Sequence, residues 1–306
     1  LTSFRQCVAN IELPLDNGTF TWKVLLPQDA LQIYLSECPS FRRCFFEAWR
    51  MRAATYMAPW RIVLYMDELD PGSIFAPDAP RKLAAFYMSF LEFGPSALRL
   101  AQFWLPIAVL RTNMVKEITG RMSNCTRMLV RTLLLGNRGL ATAGCFWTAP
   151  QQVDRHGGPT AGLLFAKISN LLADGDALRQ IWQCFGAGAL KPCFNCGNIV
   201  RKGAGLSGDG YVEITCDNMD DIREETDESI WQAFDDLETT VGTVGKGRFK
   251  KLEQVCGLHY HTLSLLGDRE LRQHIKPIDI NTYDSCLLYT SPSPRDRTRS
   301  RMPSSA

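Results

Sequence analysis

Apolar positions fall at helical spacing twice in the first sixty residues. Leu26, Ala30, Leu31 and Tyr34 share one stripe, Phe41, Phe45 and Trp49 a second, and Pro39 and Pro59 punctuate them. Residues 1–58 therefore read as an N-terminal helical segment. Three strand-like apolar runs follow: Arg61–Leu69, Leu83–Phe93 and Phe103–Arg111. Asp70-Pro71-Gly72 between the first two reads as a turn. Met114–Leu135 contains no proline and places Val115, Ile118, Met122, Leu129 and Leu133 on one helical face. A glycine-rich break at Gly136–Gly144 precedes a further apolar run, Leu163–Leu172. That run closes on Ala173-Asp174-Gly175-Asp176, and a short helix is expected over Ala177–Cys184.

The element order is strand, strand, strand, helix, strand, helix. Three consecutive strands can pair as an antiparallel meander, and a helical crossover then lays a fourth beside the first in parallel. The expectation is an α/β (α+β) fold with a mixed sheet, in the order of the opening half of the ribonuclease H-like fold. Residues 59–190 would hold that first half. From Lys191 the character changes. A glycine-rich, hairpin-like stretch runs to Cys216, and a strongly acidic one over Asp217–Glu238 contains an expected helix at Glu228–Leu237. A small basic stretch follows at Gly245–Lys251, and Leu252–Asp284 carries three of the four histidines. Residues 191–285 thus form a third, truncated segment.

Composition changes this picture at one end only. With 306 residues, 45% apolar and 22% charged, the chain has the make-up of a folded, soluble protein and not of collagen, a coiled coil or a disordered polymer. From Cys286 onward, however, CLLYTSPSPRDRTRSRMPSSA resembles the translation of a sequencing adaptor left by transposon tagmentation. Residues 286–306 are therefore set aside from fold reasoning. That tail carries four arginines against one aspartate, so the formal charge of +2 becomes −1 without it. Global charge then says nothing about nucleic acid. The chain opens on Leu1, so a preceding piece is expected to be missing. Ten irregularly spaced cysteines outside the tail and no visible signal peptide suit a reducing, nuclear or cytoplasmic setting. The longest apolar runs fall short of the ~20 residues that span a bilayer.

Two constellations could carry chemistry. Cys193-Phe-Asn-Cys196 presents two thiols to one ion, and tetrahedral zinc would take two more ligands. Cys216 is the natural third, and Cys256, His259 and His261 all remain open for the fourth. The alternative is a reduced or redox-active cysteine pair. His259-Tyr-His261 alternates, which would set both imidazoles on one face of a strand. Second, Asp67 interrupts the apolar run Ile62–Met66, where a lone carboxylate is costly unless paired or bound to a cation. Asp174 closes the fourth strand-like run. In the expected topology the two could face each other across Mg²⁺ or Mn²⁺, the arrangement that activates a hydroxyl and stabilises a leaving oxygen in phosphoryl transfer. The plainer reading makes Asp67 a turn residue and Asp174 or Asp176 the cap of the next helix.

The runs PWRIVLYMDELDPGSIFAPDAPRKLAAFYMSF and LADGDALRQIWQCFGAGALKPCFNC resemble transposase-like proteins of the CACTA and Kyakuja–Dileera–Zisupton (KDZ) kind. In that resemblance Asp67 matches a first acid followed by a Pro-Gly turn, and Asp174 matches a second acid opening a helix. Cys193 and Cys196 match a small zinc-binding insert. Tyr283-Asp284-Ser285 stands where such families place Asp-x-Met-His, which makes Asp284 a further candidate. The resemblance covers most of residues 10–285. It implies a ribonuclease H-like core acting on DNA with a divalent metal, a structural zinc, a third acid beyond the truncation, no membrane partner, and room for an oligomer. The chain would then be a fragment of a DDE/D-type transposase, inactive as truncated. The alternative is a catalytically dead, transposon-derived zinc module that binds nucleic acid or protein.

Overall fold

The computed structural model describes residues 7–69, 82–153, 159–186, 189–200, 212–213 and 219–283. The chain opens with a hairpin of β1 (Val8–Leu15) and β2 (Gly18–Leu25), paired from Val8↔Leu25 to Leu15↔Gly18. Ile11, Leu13, Trp22 and Val24 alternate into the core, and the two-residue turn ends on Gly18 at φ +125°. This hairpin differs from the all-helical expectation for residues 1–58, where the helical stripes drew the reading and the strand alternation stood beside them. The stripes themselves form α1 (Pro27–Glu37) and α2 (Pro39–Met51). Each starts on a proline, whose missing N–H costs nothing in a first turn.

β3 (Trp60–Leu69), β4 (Leu83–Phe90) and β5 (Leu105–Arg111) form the antiparallel meander, with α3 (Gly94–Leu98) between the last two. The long helix expected from Met114 is two helices, α4 (Thr112–Glu117) and α5 (Arg121–Leu134). They break at Gly120, which sits at φ +80° with its missing Cβ pointing at Asn124 Cβ, 2.9 Å away, and His261 Nδ1, 3.2 Å away. Gly120→Ala is expected to destabilise the fold by ~1–3 kcal/mol through left-handed strain and crowding. Chemical denaturation measures it, and an unchanged midpoint would show that the chain relaxes there freely.

The apolar run expected as one strand at Leu163–Leu172 is also two. β6 (Cys145–Val153) pairs with β7 (Pro159–Leu164) in a separate hairpin, and β8 (Ala166–Ala173) joins the main sheet. Phe165 marks the switch, its carbonyl accepting from Trp60 N at 2.8 Å while Ala166 N donates to Leu140 O at 2.9 Å. α6 (Gly175–Trp182), the two-residue strands β9 (Ile199–Val200) and β10 (Val212–Glu213), α7 (Asp227–Thr240) and α8 (Lys246–Cys256) follow, and β11 (Asn281–Tyr283) closes the order.

The main sheet is mixed and seven-stranded, in the order β1–β2–β5–β4–β3–β8–β11, with β8 parallel to β3 and β11 parallel to β8. It therefore draws strands from the first, middle and last parts of the chain. Ile62, Leu64 and Met66 of β3 point into the core, where Trp60 packs against Phe45 of α2 and against Trp49, Phe90 and Phe93. Leu64, Ile168 and Leu171 meet Val130 of α5 and Trp182 of α6 on the same side. Tyr65 faces the other way, against Tyr87 and Trp104. The segment after α8 is fastened to α5 by the buried Asp268 carboxylate. It accepts from Arg131 at 2.8 Å and from Arg127 at 3.4 Å, which satisfies a charge that would otherwise be costly to bury.

Candidate functional site

The two acids sit at the same end of adjacent parallel strands. β3 and β8 run in register from Val63↔Asn170 to Tyr65↔Leu172, after a β-bulge at Ile62/Val63. Two residues further along each strand come Asp67 and Asp174. Alternation along β3 sets Asp67 on the side that carries Tyr65, opposite the core residue Met66, whereas Asp174 leaves β8 to begin α6. Paired strands lie about 5 Å apart, and the last registered pair, Tyr65↔Leu172, stands two residues before each acid. Asp67 is half-buried and Asp174 exposed.

Each carboxylate already has one local task. Asp67 Oδ1 accepts from the following amide, Glu68 N, at 2.8 Å. Asp174 Oδ1 accepts from Ala177 N at 2.6 Å as the N-cap of α6. The capping role read as the plainer alternative is therefore present. Neither interaction uses the second oxygen, Oδ2, which has no hydrogen-bond partner among the described residues. On the far side of β8, Tyr283 of β11 pairs with Ala173. Asp284, next in the chain, lies outside the described residues.

The two cysteines of the turn converge. Cys193 Sγ and Cys196 Sγ are 3.2 Å apart. Burial, the Cys193 thiol beside it and Glu224 push the Cys196 thiol up to about 12, against the lowering effect of Lys191. Lys191 itself forms a buried ion pair with Glu225, which also accepts from Ser229 at the start of α7. Two converging soft donors would suit a soft divalent cation, which binds thiolates and so must displace the protons that burial favours here. Cys216 lies outside the described residues.

The open choices for a fourth ligand are not gathered there. The expected strand at His259–His261 is a loop, since Gly257 at φ +76° ends α8 and Tyr260 N donates to Glu253 Oε1 at 2.8 Å. His259 stacks on Phe185 with ring centroids 3.7 Å apart, and His261 Nδ1 accepts from Leu263 N at 3.0 Å. Cys256 ends α8 near Lys191. Among the described residues no group of three or more His, Cys, Asp or Glu side chains is placed to hold one metal ion.

Both imidazoles have depressed pKa values, in each case chiefly through burial. Their folded pKa lies below the unfolded value of about 6.5, so the unfolded chain takes up protons first as pH falls. Stability from this source is complete above pH ~6.5 and declines below it toward the depressed values. The urea midpoint should drop between pH 7.5 and 5.5, and His259→Phe should shrink that drop. An equal drop in the variant would contradict the assignment.

Sequence reasoning did not single out Asn195 and Asn281, whose side chains hydrogen-bond at 3.0 Å across 86 residues. An asparagine inside a C-x2-C turn carries no spacing signal that would reveal such a partner. Among the described residues no helix is long and apolar enough to cross a membrane. No family model matches the sequence, and no curated protein matches it significantly.

Proposed function

We propose that this chain is part of a transposon-derived, DDE/D-type transposase whose core performs metal-dependent phosphoryl transfer on DNA. One observation supports the reading: Asp67 and Asp174 each stand two residues beyond the last registered pair, Tyr65↔Leu172, at the same end of two adjacent parallel strands. The order β5–β4–β3–β8, an antiparallel meander with a fourth strand parallel to its first, supports a ribonuclease H-like core. β11 extends that core in parallel, and the β1–β2 hairpin extends it beyond β5.

Asp67 and Asp174 would hold Mg²⁺ or Mn²⁺ through the oxygens not engaged with backbone amides. Such an ion, when bound, activates the attacking hydroxyl and stabilises the leaving oxygen of an in-line displacement. The protein's share would be placement: the β3–β8 ladder ends two residues before each acid, and the α6 cap engages one Asp174 oxygen. Cys193 and Cys196, with Cys216 as the third donor, would hold a structural zinc.

Full-length protein should cleave DNA only with Mg²⁺ or Mn²⁺, and Asp67→Ala should abolish that cleavage. Unchanged activity in the variant would overturn the reading. A catalytically dead module that keeps only the zinc turn is the second reading, favoured by the engagement of Asp174 in a cap. Metal analysis separates both from a redox cysteine pair: about one zinc per chain is expected, whereas a metal-free reversible disulfide would refute the zinc site.

A further inference from the structure

β11 is a three-residue strand at the edge of the sheet, and strands this short have little hold of their own. Its backbone is tied to β8 by Leu171 N donating to Ile280 O at 2.7 Å, and its Thr282 Oγ1 accepts from Asn170 Nδ2 at 3.0 Å. A further tie, beyond the pairing with β8, leads elsewhere. Asn281 Oδ1 accepts from Trp182 Nε1 at 3.3 Å, and Asn281 Nδ2 donates to Asn195 Oδ1 at 3.0 Å. Asn195 lies between the two cysteines of the turn. Phe194 beside it stacks flat on the same Trp182, with centroids 5.8 Å apart and planes 11° from parallel. The turn is fixed from behind by Glu225 N donating to Asn195 O at 2.9 Å and by Gly197 N donating to Arg223 O at 2.8 Å.

We infer that the Cys193–Cys196 turn, closed by a soft divalent cation, braces β11 against β8, with Asn281 as the positioning residue that carries the constraint. This rests on reading the cysteine pair as a metal site. Without an ion the two sulfurs share only a weak S–H···S contact, and the turn rests on its backbone bonds to Arg223 and Glu225 and on the Phe194–Trp182 stack, none of which engages the Asn195 side-chain amide. With both sulfurs on one ion, Phe194 and Asn195 are held between fixed ends, and the Asn281 amide has a fixed partner. Ion occupancy and β11 seating are then coupled, and each must favour the other.

Hydrogen exchange on the whole chain, read on the peptide spanning residues 275–283, tests this. Adding Zn²⁺ to chelator-treated protein should slow β11 exchange about tenfold and leave β4 amides unchanged, the scale of a typical coupling between sites. Asn281→Ala should still take up zinc at the wild-type ratio while losing the slowing. Equal β11 exchange with zinc bound and removed would overturn the brace and leave the metal site standing, as would an Asn281→Ala protein that still responds to zinc. A chain that takes up no zinc would overturn both.

Discussion

Replacing Asp174 by serine in the full-length protein is expected to reduce metal-dependent DNA cleavage by at least ~100-fold while leaving stability almost unchanged. Serine caps a helix about as well as aspartate, so the bond to Ala177 N can be kept. It offers no carboxylate, and a lost contact to a metal that stabilises the transition state by several kcal/mol is worth 10²-fold or more in rate. Asp174→Ala would lose cap and carboxylate together, adding ~0.5–2 kcal/mol of destabilisation. Cleavage rates alongside urea midpoints separate the two roles. Were Asp174→Ser as active as the wild type, Asp174 would be a cap and nothing more.

Trp60→Ala is expected to cost ~3–5 kcal/mol, the range for deleting a large aromatic from a packed core. Trp60 is fully buried where β3 begins, among Phe45, Trp49, Phe90 and Phe93, and its Nε1 donates to Arg52 O at 2.7 Å. Its loss would open a void and orphan that carbonyl. Tyr56→Ala a few residues earlier, at 65% exposure, should shift stability by no more than ~0.5 kcal/mol. Equilibrium denaturation of both variants checks the contrast, and similar small losses would mean that the core reseals around the missing ring.

The parallel pairing of β3 with β8 was legible because it follows from few rules. A meander needs short connections, a crossover needs a helix, and apolar runs ending in an acid mark the strand ends. Boundaries were less legible where one run served two elements. Leu163–Leu172 is continuous in hydropathy, and only the carbonyl of Phe165 turning to Trp60 divides it. Gly120 broke a helix whose stripe runs on uninterrupted, since Val115, Ile118, Met122, Leu129 and Leu133 are all buried. The opening hairpin did announce itself, in Asp16-Asn17-Gly18 between alternating apolar positions, but beside two stronger helical stripes. Three residues of alternation at His259–His261 were too few to distinguish a strand from a loop. The Asn195–Asn281 bond had no trace in the sequence, because a long-range amide pair imposes no local pattern.

Binding of Mn²⁺, followed by the loss of its free-ion paramagnetic signal, asks the central question of the sheet edge itself. Wild-type chain should take up manganese saturably, and Asp67→Asn and Asp174→Ser should each weaken that uptake by about 10-fold or more, as expected when one of a few carboxylate ligands is removed. Manganese bound equally well by all three proteins, or by none, would contradict the claim that these two carboxylates form a cation site.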